Sequence, residues 1–289
     1  MVKITGYGLT IFYLIGVFFP AGMSAAVVLI SQLAGHVAFA LFALLLARGA
    51  RRTTNHFLYF ARLLVIAVVV EGIEAFATAK LDVYFPERNA VFTYAAGLAL
   101  IAGISMTIGC YRDLVAHAVP AGGEMDRNVL FGVPVNPGQY KIAPGTGLII
   151  GLATAGLAVF VTLFFHFAYG LYGLLTILLL FIALRDDGRH ASRHMRKTLY
   201  RGRLPFSRAL CYTVALNLVA LILAWLIRPL RTVFPTTYVA TLLAHPLAAG
   251  IPEPATAPNG GRRWLTWTAY PLMMVVLTLI RAIAYGRPL

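Results

Sequence analysis

The stretch LAGHVAFALFALLLARGARR, residues 33–52, decides the fold class of this chain. It is apolar apart from one histidine, His36, and it ends in a cluster of arginines, Arg48, Arg51 and Arg52. An apolar run followed by an arginine cluster is typical of a transmembrane helix whose basic end stays in the cytoplasm. A histidine inside such a helix is costly to bury, so we expect His36 to have a polar partner.

Composition places most of the chain in lipid. Of its 289 residues, 60% are hydrophobic and 12% are charged, and the mean hydropathy is +0.81. A soluble domain is about 25% charged, so we exclude a soluble globular fold. The net charge of +14 is typical of the cytoplasmic loops of membrane proteins, and no basic domain with interleaved aromatic residues indicates a nucleic-acid partner. Cys110 and Cys211 have no metal-binding spacing, so we expect neither a metal site nor a disulfide.

Apolar runs long enough to cross a bilayer recur along the whole chain. About 20 residues span the hydrocarbon core, and the sequence predicts an all-α, polytopic helical bundle that forms one transmembrane domain over residues 1–289. The nine predicted crossings are 8–31, 33–48, 57–79, 89–110, 146–167, 169–184, 209–227, 235–251 and 264–285. The first is interpreted as a membrane helix and not as a cleaved signal peptide, because another crossing follows at once. Segment 235–251 is short and contains Pro246, so eight crossings with this piece re-entrant is the alternative.

The charges of the loops predict the orientation. Loop 185–208 contains eight basic residues, and segment 111–145 is rich in Gly and Pro, consistent with a short β-hairpin or a structured loop. We expect both loops and the N-terminus to be cytoplasmic. The basic loop would also contact anionic phospholipid headgroups.

Small residues predict how the apolar run 146–184 folds. The run is too long for one crossing, and a tight turn is expected at its central small residues, Ala168, Gly170 and Gly173. A second group has helical spacing and suits close packing against a neighbouring helix: Gly147, Gly151 and Ala155.

Polar side chains from several predicted helices fall in the extracytoplasmic half of the membrane in this topology: His36, Glu71, Glu74, Asn89, His166 and Tyr169. The spacing of Glu71 and Glu74 puts both carboxylates on one helix face. A carboxylate in hydrocarbon costs several kcal/mol, so it faces a protein cavity or a partner. A histidine beside it is suited to general acid–base catalysis. The alternative is that Glu74 and His166 lie at the headgroup level and only contact water.

Four short segments, in the same order along the chain, resemble the TraX family of membrane-embedded conjugative pilin acetylases. Residues 33–49, LAGHVAFALFALLLARG, resemble its signature GRxAFPLFAFLLxEG, and Glu71 in VVVEGIEAF resembles an acid near the end of its third helix. Residues 89–98, NAVFTYAAGL, resemble an N-x-x-FTL-x-x-GL segment, and residues 169–180, YGLYGLLTILLL, resemble DYGLYGILLILL.

The resemblance implies an acyltransferase in the bacterial inner membrane. Such an enzyme would move an acetyl group from cytosolic acetyl-CoA to the N-terminal amine of a membrane-inserted pilin subunit, without a metal. His36 and Glu71, with Glu74, would be the catalytic acid–base groups. Asn89 or Tyr169 would stabilise the oxyanion, and the substrate would be bound by Asn89, Thr93, His166, Tyr169 and Tyr172. The phosphates of the cofactor would be held by Arg48, Arg51, Arg52, Arg185 and Arg189.

The chain also departs from the family pattern, which leaves other functions open. His36 stands where the family has an arginine, Ala168 stands where it has an aspartate, and residues 16–23 lack its Asp-His pair. One alternative is a non-catalytic membrane chaperone or assembly factor for pilin. A second is a small proton-coupled transporter that uses His36 and Glu71 as a relay. A third keeps acyl transfer with a different acyl group or donor.

Overall fold

The computed structural model describes residues 2–53, 55–85, 89–117, 129–130, 133–134, 143–184, 204–227, 234–250 and 261–285. Most of these residues are helical. The α-helices are α1 (Val2–Phe18), α2 (Ala25–Arg52), α3 (His56–Leu81), α4 (Ala90–His117), α5 (Pro144–Phe164), α6 (Gly170–Ala183), α7 (Leu204–Leu226), α8 (Ala244–Gly250) and α9 (Gly261–Ala284). Two 3₁₀ helices span Pro20–Gly22 and Thr236–Leu243. Within segment 111–145, β1 (Val129–Leu130) pairs antiparallel with β2 (Val133–Pro134).

Four of the described helices have the length and apolarity of membrane spans. Within the described ranges, the candidates of sufficient length and apolarity are Ala25–Arg51, Ala90–Tyr111, Pro144–Phe164 and Arg208–Leu226. Shorter apolar helices are Val2–Phe18, Gly170–Ala183 and Thr268–Ala284. Large apolar side chains point outward along these helices, as on α5 at Ile149, Leu157 and Phe160, which is expected where the solvent is lipid. The all-α membrane class predicted from composition is therefore confirmed.

The first helix boundary differs from the predicted one. The sequence predicted crossings at 8–31 and 33–48, but α1 ends at Phe18 and α2 runs from Ala25 to Arg52. Pro20 ends α1 because proline has no backbone N–H and clashes with the preceding turn. Ser24 then begins α2 as its N-cap, with its hydroxyl accepting a hydrogen bond from the Val27 amide. His36 consequently lies three turns inside α2 and not at its start.

The core of the bundle forms around the second half of α2. Its fully buried residues pack in one cluster with α4 and α6, and the members include Leu41, Leu44, Ala47, Leu98, Ile101, Ile177 and Leu180. The turn between α5 and α6 lies at residues 165–169. The tight turn predicted within the 146–184 run is therefore confirmed.

The small-residue stripe of α5 packs against α4, a neighbour that the sequence did not identify. A Cβ atom added to Gly103 of α4 would lie 2.7 Å from the carbonyl oxygen of Gly151 and 2.8 Å from the amide nitrogen of Ala155. Such contacts involve backbone atoms, which cannot rotate away. The two helices therefore approach as closely as glycine permits.

We expect Gly103→Ala to destabilise the protein by about 1–3 kcal/mol, because the added methyl group must push α4 and α5 apart. The measurement is the thermal unfolding midpoint of the protein purified in detergent. Gly156→Ala on α5 is the matched control, since a Cβ atom there meets nothing within 4 Å. An equal effect of both substitutions would contradict the close packing of Gly103.

Helix α4 begins inside the bundle. Asn89 directly precedes α4, is 5% exposed, and donates hydrogen bonds to the Ala67 carbonyl and the Glu71 carboxylate in the middle of α3. Since α3 continues to Leu81 and a helix rises 1.5 Å per residue, α4 starts about 15 Å below the end of α3. The sequence had placed Asn89 at the outer surface. Asp82 ends α3 in a left-handed conformation, φ 50°, and Val83 after it is buried.

Candidate functional site

Both ring nitrogens of His36 are hydrogen-bonded to hydroxyl groups. Its Nδ1 lies 3.1 Å from the Tyr169 hydroxyl, and its Nε2 lies 3.1 Å from the Thr237 hydroxyl. The rings of Tyr169 and Tyr238 meet the imidazole edge to face, with centroids 5.5 Å and 5.2 Å away. The expectation that His36 has a polar partner is confirmed. The sequence predicted that this partner is Glu71 or Glu74, whereas the partners in the structure are the hydroxyls of Tyr169 and Thr237.

The turn between α5 and α6 positions Tyr169. Its backbone is left-handed, with φ 64°, as is that of His166 with φ 52°. Non-glycine residues rarely adopt this region, and such residues concentrate at functional sites. The ring of Phe39 stacks on Tyr169 with centroids 3.8 Å apart. Tyr169 is thus held from one side by α2 and from the other by its own turn, while the His166 side chain is exposed.

Glu71 is joined to the start of α4 through Asn89. The Asn89 amide nitrogen lies 3.1 Å from the Glu71 carboxylate and 3.2 Å from the Ala67 carbonyl, so both of its hydrogens have acceptors. Its side-chain oxygen accepts a hydrogen bond from the Val91 amide at 3.1 Å. Asn89 therefore caps α4 and orients the carboxylate of Glu71 in one arrangement. It has no remaining N–H to stabilise an oxyanion, the role that the sequence had allowed for it.

Thr93 links the start of α4, where Asn89 lies, to the turn that carries Tyr169. Thr93 lies one turn after Asn89 in α4, and its hydroxyl donates a hydrogen bond to the carbonyl of Ala168, the residue before Tyr169. A Cβ atom added to Gly173 would lie 2.6 Å from the Thr93 methyl group, so α4 and α6 are in close contact here. The first turn of α4, which follows Asn89, is thus in direct contact with the turn that carries Tyr169.

The structure does not join His36 to either acid. Its two nitrogens are occupied by Tyr169 and Thr237, and the carboxylate of Glu71 accepts from Asn89. Glu74 is buried one turn after Glu71 on the same face of α3. The acid and the histidine thus belong to two neighbouring subsites and not to one dyad.

A buried polar network that the sequence did not predict lies behind Tyr172. The Tyr172 hydroxyl is 2.7 Å from the Thr241 hydroxyl and 3.3 Å from the Asn217 side-chain oxygen. Asn217 donates to the Thr213 carbonyl, and the Thr213 hydroxyl is 2.9 Å from Nε2 of His245. The sequence signal for this network is the spacing of four residues between Thr237, Thr241 and His245, which marks one face of an α-helix. Part of this segment is a 3₁₀ helix, in which that spacing does not mark one face. Tyr172 is fully buried, so direct substrate contact, as the resemblance implied, does not follow from its position.

No protein-family model, curated protein or solved structure matches this chain. Among the described residues, no group of three or more His, Cys, Asp or Glu side chains is placed to hold a metal ion.

Arg51, predicted to bind cofactor phosphates, caps the C-terminus of α6. Its Nε and Nη2 donate to the Phe181 carbonyl at 3.0 Å and 2.5 Å, and its guanidinium lies 3.5 Å from the centre of the Phe181 ring. This carbonyl is in the last turn of α6, where helix carbonyls have no partner within the helix. Arg48 is half-buried. The Arg52 side chain, Arg185 and Arg189 lie outside the described residues.

We expect Arg51→Gln to lower the free energy of unfolding by about 1.5–3 kcal/mol, the usual contribution of a hydrogen bond from a charged donor. Thermal unfolding in detergent measures this, with the exposed Arg62→Gln as control. If Arg51 only caps α6, Arg51→Gln should leave the apparent affinity for an acyl donor unchanged. Weaker donor binding at unchanged stability would instead support the phosphate-binding role.

Proposed function

We propose that the chain is a TraX-like membrane acyltransferase that acylates the N-terminal amine of a membrane-inserted pilin subunit. The observation that carries the proposal is the convergence of the resembling segments. His36 of the first contacts Tyr169 of the last, Glu71 contacts Asn89, and Thr93 of the third contacts Ala168 beside the last. Polar residues in lipid need partners in any helical bundle, and the support for the proposal is that these contacts join one resembling segment to another.

The proposed setting is the bacterial inner membrane, with nine crossings and a cytoplasmic N-terminus. The distribution of basic residues supports this orientation, since Arg48, Arg51, Arg52 and loop 185–208 would lie together on the cytoplasmic side. Acetyl-CoA would then approach from that side, with its phosphates near the basic loop. The site around Asn89 would open toward the opposite side, where the pilin amine lies after leader cleavage.

Glu71 is the proposed base. The attacking group arrives as an ammonium and must lose a proton before its nitrogen lone pair can form a bond with the thioester carbon. Glu71 would take this proton, because Asn89 fixes the orientation of its carboxylate. The nitrogen then adds to the carbonyl, the C–S bond breaks, and the second amine proton leaves with the thiolate as the free thiol. The products are an amide, a thiol and one released proton.

Tyr169 is the proposed donor to the oxyanion of the tetrahedral intermediate. If Nδ1 of His36 carries its proton, it donates to the Tyr169 oxygen, and Thr237 donates to Nε2. The phenolic hydrogen of Tyr169 then points away from His36, and we propose that the substrate oxyanion accepts it. His36 becomes a positioning residue for Tyr169, and not the base that the sequence suggested.

The test is to co-express the full chain with the candidate pilin and to weigh the purified pilin by mass spectrometry. An increase by one acyl group on the N-terminal peptide, absent when the chain is omitted, is the expected result. Stable co-purification with an unmodified pilin would instead identify an assembly factor. The mass of the added group would also identify the acyl donor class.

A further inference from the structure

Glu74 is a buried carboxylate for which the described chain provides no counter-charge. The residue is 7% exposed. It has neither a hydrogen bond nor an ion pair within the described ranges. A carboxylate in this position is costly unless a cation or donor accompanies it.

The groups around Glu74 are either acidic or neutral. Glu71 lies one turn earlier on the same face of α3 and acts on it as a second negative charge. Tyr270 of α9 and Tyr13 of α1 pack against one buried cluster. Val70 and Ala77 of this cluster lie one turn before and one turn after Glu74 on the same face of α3, so the two tyrosines pack against the face that carries Glu74.

The described basic side chains of these helices are located elsewhere. Lys3 is at the far end of α1, and Arg62 lies about 18 Å along α3 from Glu74 at 1.5 Å per residue. Lys80 is exposed near the end of α3. Arg281 of α9 donates to the carbonyls of Leu81 and Asp82 at 3.1 Å and 3.4 Å. None of them is placed to neutralise Glu74.

We propose that Glu74, Glu71 and Tyr270 form a binding site for a primary ammonium group, supplied by the terminal amine of the acceptor peptide. A primary ammonium has three N–H donors and one positive charge. Two carboxylates and a phenolic oxygen match its donors, and tyrosine rings attract cations. The inference rests on the proposed acyl transfer, and it gives Glu74 the task of holding the amine while Glu71 takes its proton.

The probe is alaninamide, which carries an N-terminal ammonium and no carboxylate. It is titrated into the full chain purified in detergent, and the thermal unfolding midpoint is measured. Alaninamide should raise the midpoint in a saturable manner, because it binds only the folded state, whereas N-acetylalaninamide should not. Glu74→Gln should weaken the apparent affinity by about tenfold or more. Tyr270→Phe, which keeps the ring, should weaken it less and covers the case in which Glu74→Gln does not fold.

Asp82→Asn is the control, since this carboxylate is exposed at the end of α3, and it should leave the titration unchanged. Equal shifts with N-acetylalaninamide, or a titration insensitive to Glu74→Gln, would overturn the ammonium site. So would a saturable shift with sodium chloride that Glu74→Gln abolishes, because this identifies an inorganic cation site. The two proposals fail separately: an unmodified pilin with intact alaninamide binding contradicts only the acyl transfer, and wild-type acylation without alaninamide binding contradicts only the ammonium site.

Discussion

Glu71→Gln is expected to slow pilin acylation by about 10²–10⁴-fold, the usual contribution of a general base. The glutamine side chain keeps an oxygen that accepts from Asn89, so the packing between α3 and α4 is preserved. The substitution removes only the ability to accept a proton. The measurement is the initial rate of appearance of acylated pilin by mass spectrometry, with the protein in membranes.

The control for this prediction is Asp82→Asn, an exposed carboxylate on the same helix connection. Its acylation rate should match that of the wild-type protein. A Glu71→Gln rate within a factor of about two of wild type would remove Glu71 from the mechanism, since uncatalysed proton transfer cannot replace a base of this efficiency.

Tyr169→Phe is expected to reduce the rate constant of acylation by about 10²–10³-fold, as removal of an oxyanion donor does. His36→Phe should cause a similar loss, because Tyr169 then loses the partner that orients its hydroxyl. If His36 acts only through Tyr169, the double variant is no slower than the slower single variant. The losses should appear in kcat with little change in KM, since neither group binds the ground-state amine.

Tyr111→Phe is the matched control for Tyr169→Phe, because Tyr111 is 60% exposed on the other end of α4. Additive losses in the double variant would contradict the positioning role of His36 and favour an independent catalytic one. An active Tyr169→Phe variant would require a different source of oxyanion stabilisation.

Much of the candidate site was accessible from the sequence. His36, Glu71 and Asn89 are polar residues inside apolar runs. Burying a polar group in lipid costs free energy, so each of them is expected to have a partner. Glu71 and Asn89 were expected at one level of the membrane, and the structure joins them. The partner of His36 was not predictable in the same way, because Thr237 is an ordinary threonine more than 200 positions away in the chain.

The role of an arginine was harder to predict from the sequence than the need of a buried polar residue for a partner, as Arg51 shows. In the sequence it is one of three neighbouring arginines with the same apparent task. In the structure its guanidinium satisfies the carbonyl of Phe181 at the end of α6. Whether an arginine binds a loop phosphate or a helix end depends on which helix terminates beside it, and this is a property of the packing and not of the local sequence.

The sequence by itself determined that the chain is a bundle of apolar helices, where most helices lie, and which residues are too polar for lipid. These features follow from hydropathy and chain length, because backbone groups in a bilayer must be hydrogen-bonded within the helix. Only the tertiary structure decided that α4 begins about 15 Å inside the bundle, that Gly103 faces Gly151, and that His36 meets Tyr169. In lipid, helices associate through close packing of small residues and a few polar contacts, since apolar surface gains nothing by exchanging lipid for protein. Hydropathy therefore carries no information about which helices become neighbours.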